Sequence, residues 1–449
     1  MKTFSYFLLF ALCLKLQSHA ETAPAAPAPT QGPSPERLAE LTKRVTQKKT
    51  IKLEDYLAKV AASNLGYASQ KYNVSVADAA IMAARVFKNP ELQIGTMKDV
   101  TNYGSSQQLP GFYSAYINQT FELGGKRRER QLVARKNHAA VSTSLQGFLQ
   151  NLRLDAAEAY ADAIAAGRVA AQYQRTAGLL KDLLKAQEER QKAGDISDVD
   201  LLQTRVEVRQ YEAELLNAEG LATTAELALN GFLGPQFSST HWVPVGALDV
   251  TPQSTDLLNL LSSAIRNRPD LIAMRYRRDA AAENINLEKA NRVPDLTVGV
   301  GWSNSTYSGN VTSPQPNYNM AGIQLSLPLP IWNRNKAGIA SAKAQAEQAQ
   351  LDLDAAEVKA GVDVRQALSL YGVARERVEL YQAGVLKDVD SALEKRVVSY
   401  KRGGSSLLEL LDAQRKANEV WQSFYSAQSD YARAVIELHR AAGIWIVRF

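Results

Sequence analysis

A duplication covers most of this chain and limits its possible folds more than any other feature. Two sets of residues about 204 positions apart carry the same pattern without a gap, from Leu53 matched by Leu257 to Gly95 matched by Gly299. Each half predicts a helix, two strands and then very long helices. Because two strands cannot close a sheet by themselves, we expect other copies of the chain to complete the architecture.

The duplication and the composition predict a division of the chain into five segments. These are a signal peptide (1–20), an Ala- and Pro-rich linker (21–36), a first structural repeat (37–233), a connector (234–252) and a second structural repeat (253–449).

The amino-terminal segment has the features of a secretory signal. Lys2 precedes an apolar run, and Ser18-His19-Ala20 is a small-x-small cleavage site. Cys13 is the single cysteine and follows Leu12, whereas lipoprotein processing requires a small residue there, so we expect neither lipidation nor a disulfide. The mature chain has no run of about 18 apolar residues, which excludes a conventional transmembrane helix. An exported chain of this kind can still cross a membrane as a closed barrel of strands.

Charge and composition exclude one class of partner. The formal net charge is +6, and acidic and basic residues alternate along the predicted helices instead of forming a basic stripe. We therefore expect no nucleic-acid partner. The hydrophobic content of 45% is sufficient for a buried core.

Helix signals dominate both repeats. A helix of about 65 residues, as predicted after Arg127, is roughly 100 Å long, far longer than a globular domain needs. Glycine-containing breaks at 193–195 and 403–405 divide the long helical stretches into two hairpins. The predicted long helices are Arg127–Lys192, Asp198–Phe232, Lys336–Arg402 and Leu407–Ala442, and the shorter ones are Leu53–Lys88 and Thr255–Arg292.

Each repeat also contains two predicted strands with alternating character. In Leu296–Trp302 every second residue is large and apolar, with Thr or Gly between them, and Ile323–Leu329 alternates in the same way. The first repeat shows a weaker version in Leu92–Ile94 and Ile117–Leu123, where Gln119 interrupts the apolar face. Polar loops join the two strands of each pair. Alternation of this kind is typical of an outer-membrane barrel.

A soluble antiparallel sheet with one buried face would give the same alternation. The number of strands favours the barrel, because four strands cannot close a barrel and eight close one that side chains fill. Three chains would supply twelve strands and leave room for a lumen.

Basic residues directly follow the second strand of each pair in both repeats, and the second repeat adds Trp302 and Trp332. They could contact phospholipid headgroups at the membrane interface, although a single basic cluster is also typical of a solvated helix start. These predicted interface residues are Lys126, Arg127, Arg128, Trp302, Trp332 and Arg334.

Several segments together resemble the TolC-like outer membrane factors of bacterial tripartite efflux pumps and type I secretion systems. The most specific are Arg268–Leu271 opening a helix, Leu325–Asn335 (LSLPLPIWNRN) leading from strand to helix, and the Gly403–Gln414 turn with its following helix. The LPLPIWNRN stretch is most similar to the branch that serves heavy-metal cation exporters of the CzcC and CusC type.

The resemblance implies a mainly α fold with a small β part, in a homotrimer located in the outer membrane. It implies a twelve-stranded barrel, with four strands from each chain, continued by an α-helical tunnel across the periplasm. It also implies a periplasmic adaptor and an inner-membrane pump as partners, the pump being RND-type rather than ABC-type.

The resemblance places a gate at the second hairpin turn. The positions that match the family's inward-facing carboxylates are Glu409 and Asp412, whose i, i+3 spacing puts them on one helix face. In a trimer they would form two rings of like charge that favour cations. Tyr400 matches a tyrosine that latches the closed state, but Ser405 stands where some members carry a latch arginine. Both carboxylates could equally be ordinary solvated helix residues.

The turns are the implied contacts for the adaptor. They contain Gly194 and Asp195 in the first hairpin and Gly403 and Gly404 in the second. Glycine is also the expected residue at a simple helix end.

No catalytic, cofactor or metal site is predicted. After signal cleavage the histidines are His138, His241 and His439, in unrelated segments and without a second ligand at metal-binding spacing. Gly299 and Gly301 lie within a strand and are not a phosphate loop. We therefore expect a passive efflux duct for metal cations or small toxic compounds, and not an enzyme. The alternatives are the duct of a type I protein or peptide secretion system, and a periplasmic coiled-coil scaffold that never enters the membrane.

Overall fold

The computed structural model describes residues 47–98, 111–194, 196–234, 240–248, 255–306 and 318–445. The predicted signal peptide, the linker and Asp195 lie outside the described residues, as do the polar loops between the strands and parts of the connector.

The described residues form helices and strands in nearly the same order in both repeats. The first part contains β1 (Gln47–Ile51), α1 (Leu53–Ser63), α2 (Leu65–Arg85), β2 (Glu91–Lys98), β3 (Gly111–Phe121), α3 (Lys126–Lys192) and α4 (Asp198–Gly231). The second part contains β4 (Thr240–Pro244), α5 (Leu257–Asn267), α6 (Pro269–Ala290), β5 (Leu296–Thr306), β6 (Tyr318–Ser326), α7 (Lys336–Leu380), a π-turn (Tyr381–Val385), α8 (Leu386–Lys401) and α9 (Leu407–Ala442).

The structure confirms a mainly α chain that is internally duplicated. Helices α1 and α5 occupy positions 204 residues apart at both ends, and each is followed by a second helix, two strands and a long hairpin. We call α3 with α4 the first hairpin, and α7 through α9 the second hairpin. The single helix α3 has 67 residues.

The prediction of one helix before the strands of each repeat was wrong. Asn64 has an extended backbone, ends α1 and accepts a hydrogen bond from the Tyr67 amide, so that it also caps α2. In the second repeat Arg268 is extended because it precedes Pro269, and a residue before proline avoids the helical conformation.

The prediction of one continuous helix from Lys336 to Arg402 was also wrong. The π-turn separates α7 from α8, and Gly384 has a non-helical backbone there. A π-turn interrupts the regular i to i−4 hydrogen bonding and lets a helix bend. The first hairpin has no such break in α3.

A small parallel sheet in the middle of the molecule was not predicted. Strand β1 pairs in parallel with β4, which lies in the connector. The Tyr160 hydroxyl of α3 lies 2.9 Å from the carbonyl oxygen of Ile51 and 2.7 Å from that of Val245, and so holds the two strands against the helices. A buried cluster that contains Tyr56, Tyr160 and Leu229 supports this sheet.

The helices pack side by side in one layer. Helices α3 and α7 contact neighbours both near the strands and in the hairpin half of this layer. Near the strands the order of neighbours is α2, α3, α6 and α7, and in the hairpin half it is α4, α3, α9 and then α7 with α8. Small side chains such as Ala156, Ala157 and Ala161 are buried on α3 and let the helices approach closely.

The second sheet has four antiparallel strands in the order β2, β3, β5 and β6. Its register matches Ile117 with both Leu92 and Val300, and Val300 with Ile323. Strands β2 and β6 are its outer edges in the single chain.

Candidate gate and duct surfaces

One face of the four-stranded sheet is apolar and uncovered. The register puts alternate residues of all four strands on this face, and Ile323 is 76% exposed. Gln119 interrupts the face as predicted and donates a 3.0 Å hydrogen bond to the carbonyl oxygen of Lys88. In the described part of the chain no element packs against this face. Its exposed residues are Leu92, Ile94, Tyr113, Ile117, Phe121, Val300, Trp302, Ile323 and Leu325.

The opposite face of the same sheet is mainly polar or glycine near the helices, and it carries Met97, Phe112, Tyr318 and Met320 toward the other end of the strands. Asn118, Thr120 and Gln324 lie on this face, together with Gly299 and other glycines. Thr120 and Thr297 join their hydroxyls across β3 and β5 at 3.0 Å. The register therefore confirms the predicted sheet with one apolar and one polar face.

The junction between strands and helices is held by ion pairs, of which those to Asp295 join the two repeats. Asp295, directly before β5, receives Lys126 at 2.5 Å and Lys88 at 2.9 Å. Arg130 contacts Glu122 through two hydrogen bonds of 2.9 Å and 3.1 Å. Because the Lys126 side chain is only 12% exposed, the structure places it inside this junction.

The other predicted interface residues lie at the surface of the chain. The Arg127 guanidinium stacks on Phe87, 3.9 Å from the ring centroid. Trp332 is 94% exposed. Arg128, Trp302 and Arg334 are also exposed. These positions are compatible with contacts to headgroups, which remain a prediction.

The two hairpin turns are exposed and depend on glycine. Gly194 and Gly403 have φ values of 81° and 74°, in the left-handed region that favours glycine. No atom lies within 4 Å of where a Cβ on either residue would stand. Gly404 donates its amide to the carbonyl oxygen of Ser399 at 2.9 Å.

Tyr400 lies where the two hairpins meet near their turns. Its hydroxyl accepts a 2.7 Å hydrogen bond from the Gln187 side chain of α3, and Thr204 of α4 donates to the oxygen of the same amide. Gln187 is fully buried. The Tyr400 ring packs against a cluster that includes Leu180, Tyr211, Leu407 and Leu411.

Glu409 lies in the first turn of α9. Ser406 and Glu409 form a capping box, in which each side chain accepts a hydrogen bond from the other residue's backbone amide. The Glu409 carboxylate also pairs with Arg396 of α8 at 3.2 Å.

The negative charge of Asp412 is paired with two cations of its own helix. Arg415 lies 2.6 Å and Lys416 2.9 Å from its carboxylate oxygens. The hydrogen bonds from Lys416 and Arg415 hold the pKa of Asp412 below its usual range. The chain therefore brings Tyr400, Glu409 and Asp412 to one end of the second hairpin, and each of the two carboxylates there is paired with at least one basic side chain.

Sequence reasoning missed these basic partners and Gln187. The spacing of Asp412 with Arg415 and Lys416 was visible in the sequence as i, i+3 and i, i+4 pairs. Gln187 is 213 residues from Tyr400, and no motif marks it.

Among the residues that the structure describes, no helix is long and apolar enough to cross a membrane. Those residues also contain no group of three or more His, Cys, Asp or Glu side chains that could hold a metal ion.

The combination of very long paired helices with a small sheet is the fold of solved outer-membrane channels. Crystal structures of CusC superpose with a TM-score of 0.69 at 17% identity, covering 94% of this chain and 98% of theirs. A membrane protein from Pseudomonas aeruginosa gives a TM-score of 0.69 at 20% identity, with 87% and 92% covered.

The family follows from the sequence match. The model of the outer membrane efflux protein family matches residues 57–235 and 260–444. The chain therefore belongs to the outer membrane efflux protein family, as the resemblance predicted.

Curated relatives agree with this assignment. The cobalt-zinc-cadmium resistance protein CzcC of Cupriavidus metallidurans is 29% identical over 368 residues, covering 81% of this chain and 83% of the relative. The outer membrane protein TolC of Vibrio cholerae is 22% identical, with 81% and 84% covered. The probable outer membrane lipoprotein SilC of Salmonella typhimurium is 24% identical over 250 residues, covering 55% and 53%.

Proposed function

We propose that three copies of this chain form a passive duct in the outer membrane that exports metal cations as part of a tripartite pump. The four strands of each chain contribute to a twelve-stranded barrel, and the hairpins form a helical tunnel into the periplasm. A periplasmic adaptor and an inner-membrane pump of the RND type complete the assembly.

The uncovered apolar face of the four-stranded sheet is the observation that carries the proposal. A soluble sheet buries its apolar face, whereas Leu92, Ile117, Val300 and Ile323 are all more than half exposed. Lipid chains of the outer membrane would cover this face. The periplasmic scaffold reading would require a cover that the described part of the chain does not contain.

The edges of the chain support association with further copies. Strands β2 and β6 are unpaired on their outer sides, and sheet edges of this kind are completed by another chain. The helical layer ends in two apolar stripes, one on α4 and one on α7. The α4 stripe consists of Val199, Leu202, Val206, Leu216, Leu221 and Leu227, and the α7 stripe of Leu351, Val358, Val362, Leu370, Val373 and Leu380.

Three copies satisfy these edges most simply. Closing the stripe on α4 against α7 of the next copy buries both, and the same rotation pairs β6 with the neighbour's β2. Twelve strands leave a lumen, whereas eight would be filled by side chains.

The cargo is argued from the relative CzcC, whose name states resistance to cobalt, zinc and cadmium. The LPLPIWNRN segment of this chain, between β6 and α7, is consistent with that branch. Metal cations are therefore the proposed cargo, and the duct passes them without a tight site because strong binding would slow release.

The gate is proposed at the end of the second hairpin, where Tyr400, Glu409 and Asp412 lie. The exposed glycines Gly194, Gly403 and Gly404, together with Asp195 outside the described residues, are the proposed contacts for the adaptor. The remaining proposed lipid contacts are Arg127, Arg128, Trp302, Trp332 and Arg334.

A deletion strain tests the function. We expect loss of the gene to raise cellular cobalt, zinc and cadmium and to lower tolerance of these metals, and a plasmid copy to restore both. A variant with lysine at positions 409 and 412 should restore trimers but not export. Unchanged metal content together with loss of a secreted protein would instead support the type I secretion alternative.

A further inference from the structure

One carboxylate joins the two repeats where the strands meet the helices. Asp295, directly before β5, is paired with Lys126, the first residue of α3, and with Lys88, which precedes β2. The helix dipole disfavours a cation at a helix N-terminus, and the Asp295 carboxylate offsets this effect for Lys126. The contact therefore fixes one repeat against the other within the chain.

The duplication supplies the same three charges a second time. The helices before the strands and the first strand of each pair are repeated 204 positions apart. The long helices that follow the strands begin 210 positions apart, at 126 and 336. The equivalent residues are Glu91 for Asp295, Arg292 for Lys88 and Lys336 for Lys126.

These second three charges do not meet in the single chain. Glu91, Arg292 and Lys336 are all exposed, and none of them forms an ion pair with another described residue. Glu91 begins β2 at one edge of the sheet, whereas Lys336 begins α7 beyond the opposite edge. Lys336 therefore lies at a helix N-terminus without the carboxylate that its equivalent has.

We propose that Glu91 of one copy is held by Lys336 and Arg292 of the neighbouring copy, so that the contact between copies repeats the contact between repeats. This inference rests on the proposed function, because it requires β6 to pair with β2 of another copy. The rotation that brings the α7 side of one copy to the α2 side of the next places Glu91 as Asp295 is placed within the chain.

The same equivalence predicts the register between β6 and the neighbouring β2. Within the chain, Tyr116 of β3 is matched with Gly301 of β5. Moving Tyr116 forward by 210 positions and Gly301 back by 204 gives Ser326 of β6 and Met97 of β2. Directly opposite residues of neighbouring strands have Cβ atoms about 4.5–5.5 Å apart, close to the separation that a disulfide requires.

A disulfide tests this register. The single native cysteine, Cys13, lies in the predicted signal peptide, so Met97→Cys with Ser326→Cys gives two thiols in the mature chain. Strands β2 and β6 are separated by two other strands within the chain, so a disulfide between them joins two copies. After oxidation, we expect dimers and trimers that heating no longer separates and that a reductant converts to monomers. Met97→Cys with Gln324→Cys, two positions out of register on the same face, is the matched control and should crosslink several-fold less.

Charge reversal tests the ion pairs. Glu91→Lys and Lys336→Glu should each lower the temperature at which the heat-labile trimer dissociates, because each variant brings like charges together. The double variant should recover part of this loss, since it restores one pair in the reverse order. Glu54→Lys, the same charge change at an exposed position of α1, should leave the dissociation temperature unchanged.

Two results would overturn the proposal while leaving the proposed duct intact. Trimers in which the matched cysteines crosslink no more than the control pair would show that the copies meet in another register. Losses that simply add in the double variant would show that Lys336 does not contact Glu91. Absence of any trimer from the unaltered protein would instead contradict the proposed function itself.

Discussion

The hydroxyl of Tyr400 accepts a 2.7 Å hydrogen bond from the buried side chain of Gln187, and this bond joins the second hairpin to the first near their turns. The residues are 213 positions apart, one on α8 and the other on α3. No residue of α8 is buried in the single chain. This hydrogen bond therefore acts together with the partly buried apolar contacts of α8, such as the Tyr400 ring against Leu407 and Leu411, to hold the helix in place.

Removing the Tyr400 hydroxyl should destabilise the closed state of the proposed gate. Tyr400→Phe leaves the buried amide of Gln187 without its acceptor, which costs about 1–3 kcal/mol. We expect more frequent openings in single-channel recordings and a lower midpoint of urea unfolding. Tyr72→Phe, at an exposed tyrosine of α2, is the control and should behave like the wild type.

Glu409 makes two interactions that can be tested separately, the capping box with Ser406 and the ion pair with Arg396. Glu409→Gln keeps the capping box, because glutamine can accept the same backbone hydrogen bond, but it removes the charge that pairs with Arg396. Glu409→Ala removes both the ion pair and the hydrogen bond that the carboxylate accepts from the Ser406 amide, while the Ser406 hydroxyl still caps the helix. We expect thermal unfolding to show a larger loss for Glu409→Ala than for Glu409→Gln. Equal losses would mean that the hydrogen bond from the Ser406 amide to the side chain at position 409 contributes nothing here.

Asp412 should stay ionised in mild acid. Its pKa is lowered by Lys416 and Arg415, so the ion pairs stabilise the folded chain above the usual aspartate range. That contribution is lost only as the pH falls through the lowered folded pKa. Replacing both cations by glutamine should return the pKa of Asp412 toward its ordinary value. Cation selectivity, measured from reversal potentials, should then fall at a higher pH than in the wild type. An unchanged pH profile would remove Asp412 from the gate.

The apolar stripe on α4 should be required for assembly. Leu202→Glu puts a charge on the proposed contact between copies, near its hairpin-turn end, where burial without a partner is costly. We expect loss of the heat-labile trimer band on a gel, while Gln203→Glu, at the adjacent exposed position, should retain it. A trimer with Leu202→Glu would show that the copies meet elsewhere.

The two faces of the sheet should respond differently to the same charge. Ile323→Lys places lysine on the proposed lipid face, which costs roughly 2–4 kcal/mol near the middle of a membrane. Gln324→Lys places it one residue further on, on the polar face. We expect the first variant to be depleted from the outer-membrane fraction and the second to be retained. Equal retention would contradict the assignment of faces.

Periodicity predicted the regular elements well. The observed bounds of α9 are those predicted, Leu407–Ala442, and α3 begins one residue before its predicted start. Helical and strand periods are local properties, so one sequence is enough to show them. The apolar and polar faces of the sheet followed from the same reasoning.

What the sequence did not reveal depends on distant contacts or on small local deviations. Asp295 pairs with Lys88 across 207 residues, and no pattern in either segment indicates the other. The π-turn is marked only by Gly384, a glycine like others that the helices tolerate. Strand β1 is five residues long and polar, and it exists because β4 and Tyr160 hold it.

The central claim is that the mature chain is a trimer in the outer membrane. Outer-membrane fractionation followed by gel electrophoresis with and without heating tests it most directly. We predict a band near three times the monomer mass in the outer-membrane fraction, which heating converts to the monomer. A monomer in the soluble periplasmic fraction, or one that carbonate washes off the membrane, would contradict the duct and favour the periplasmic scaffold.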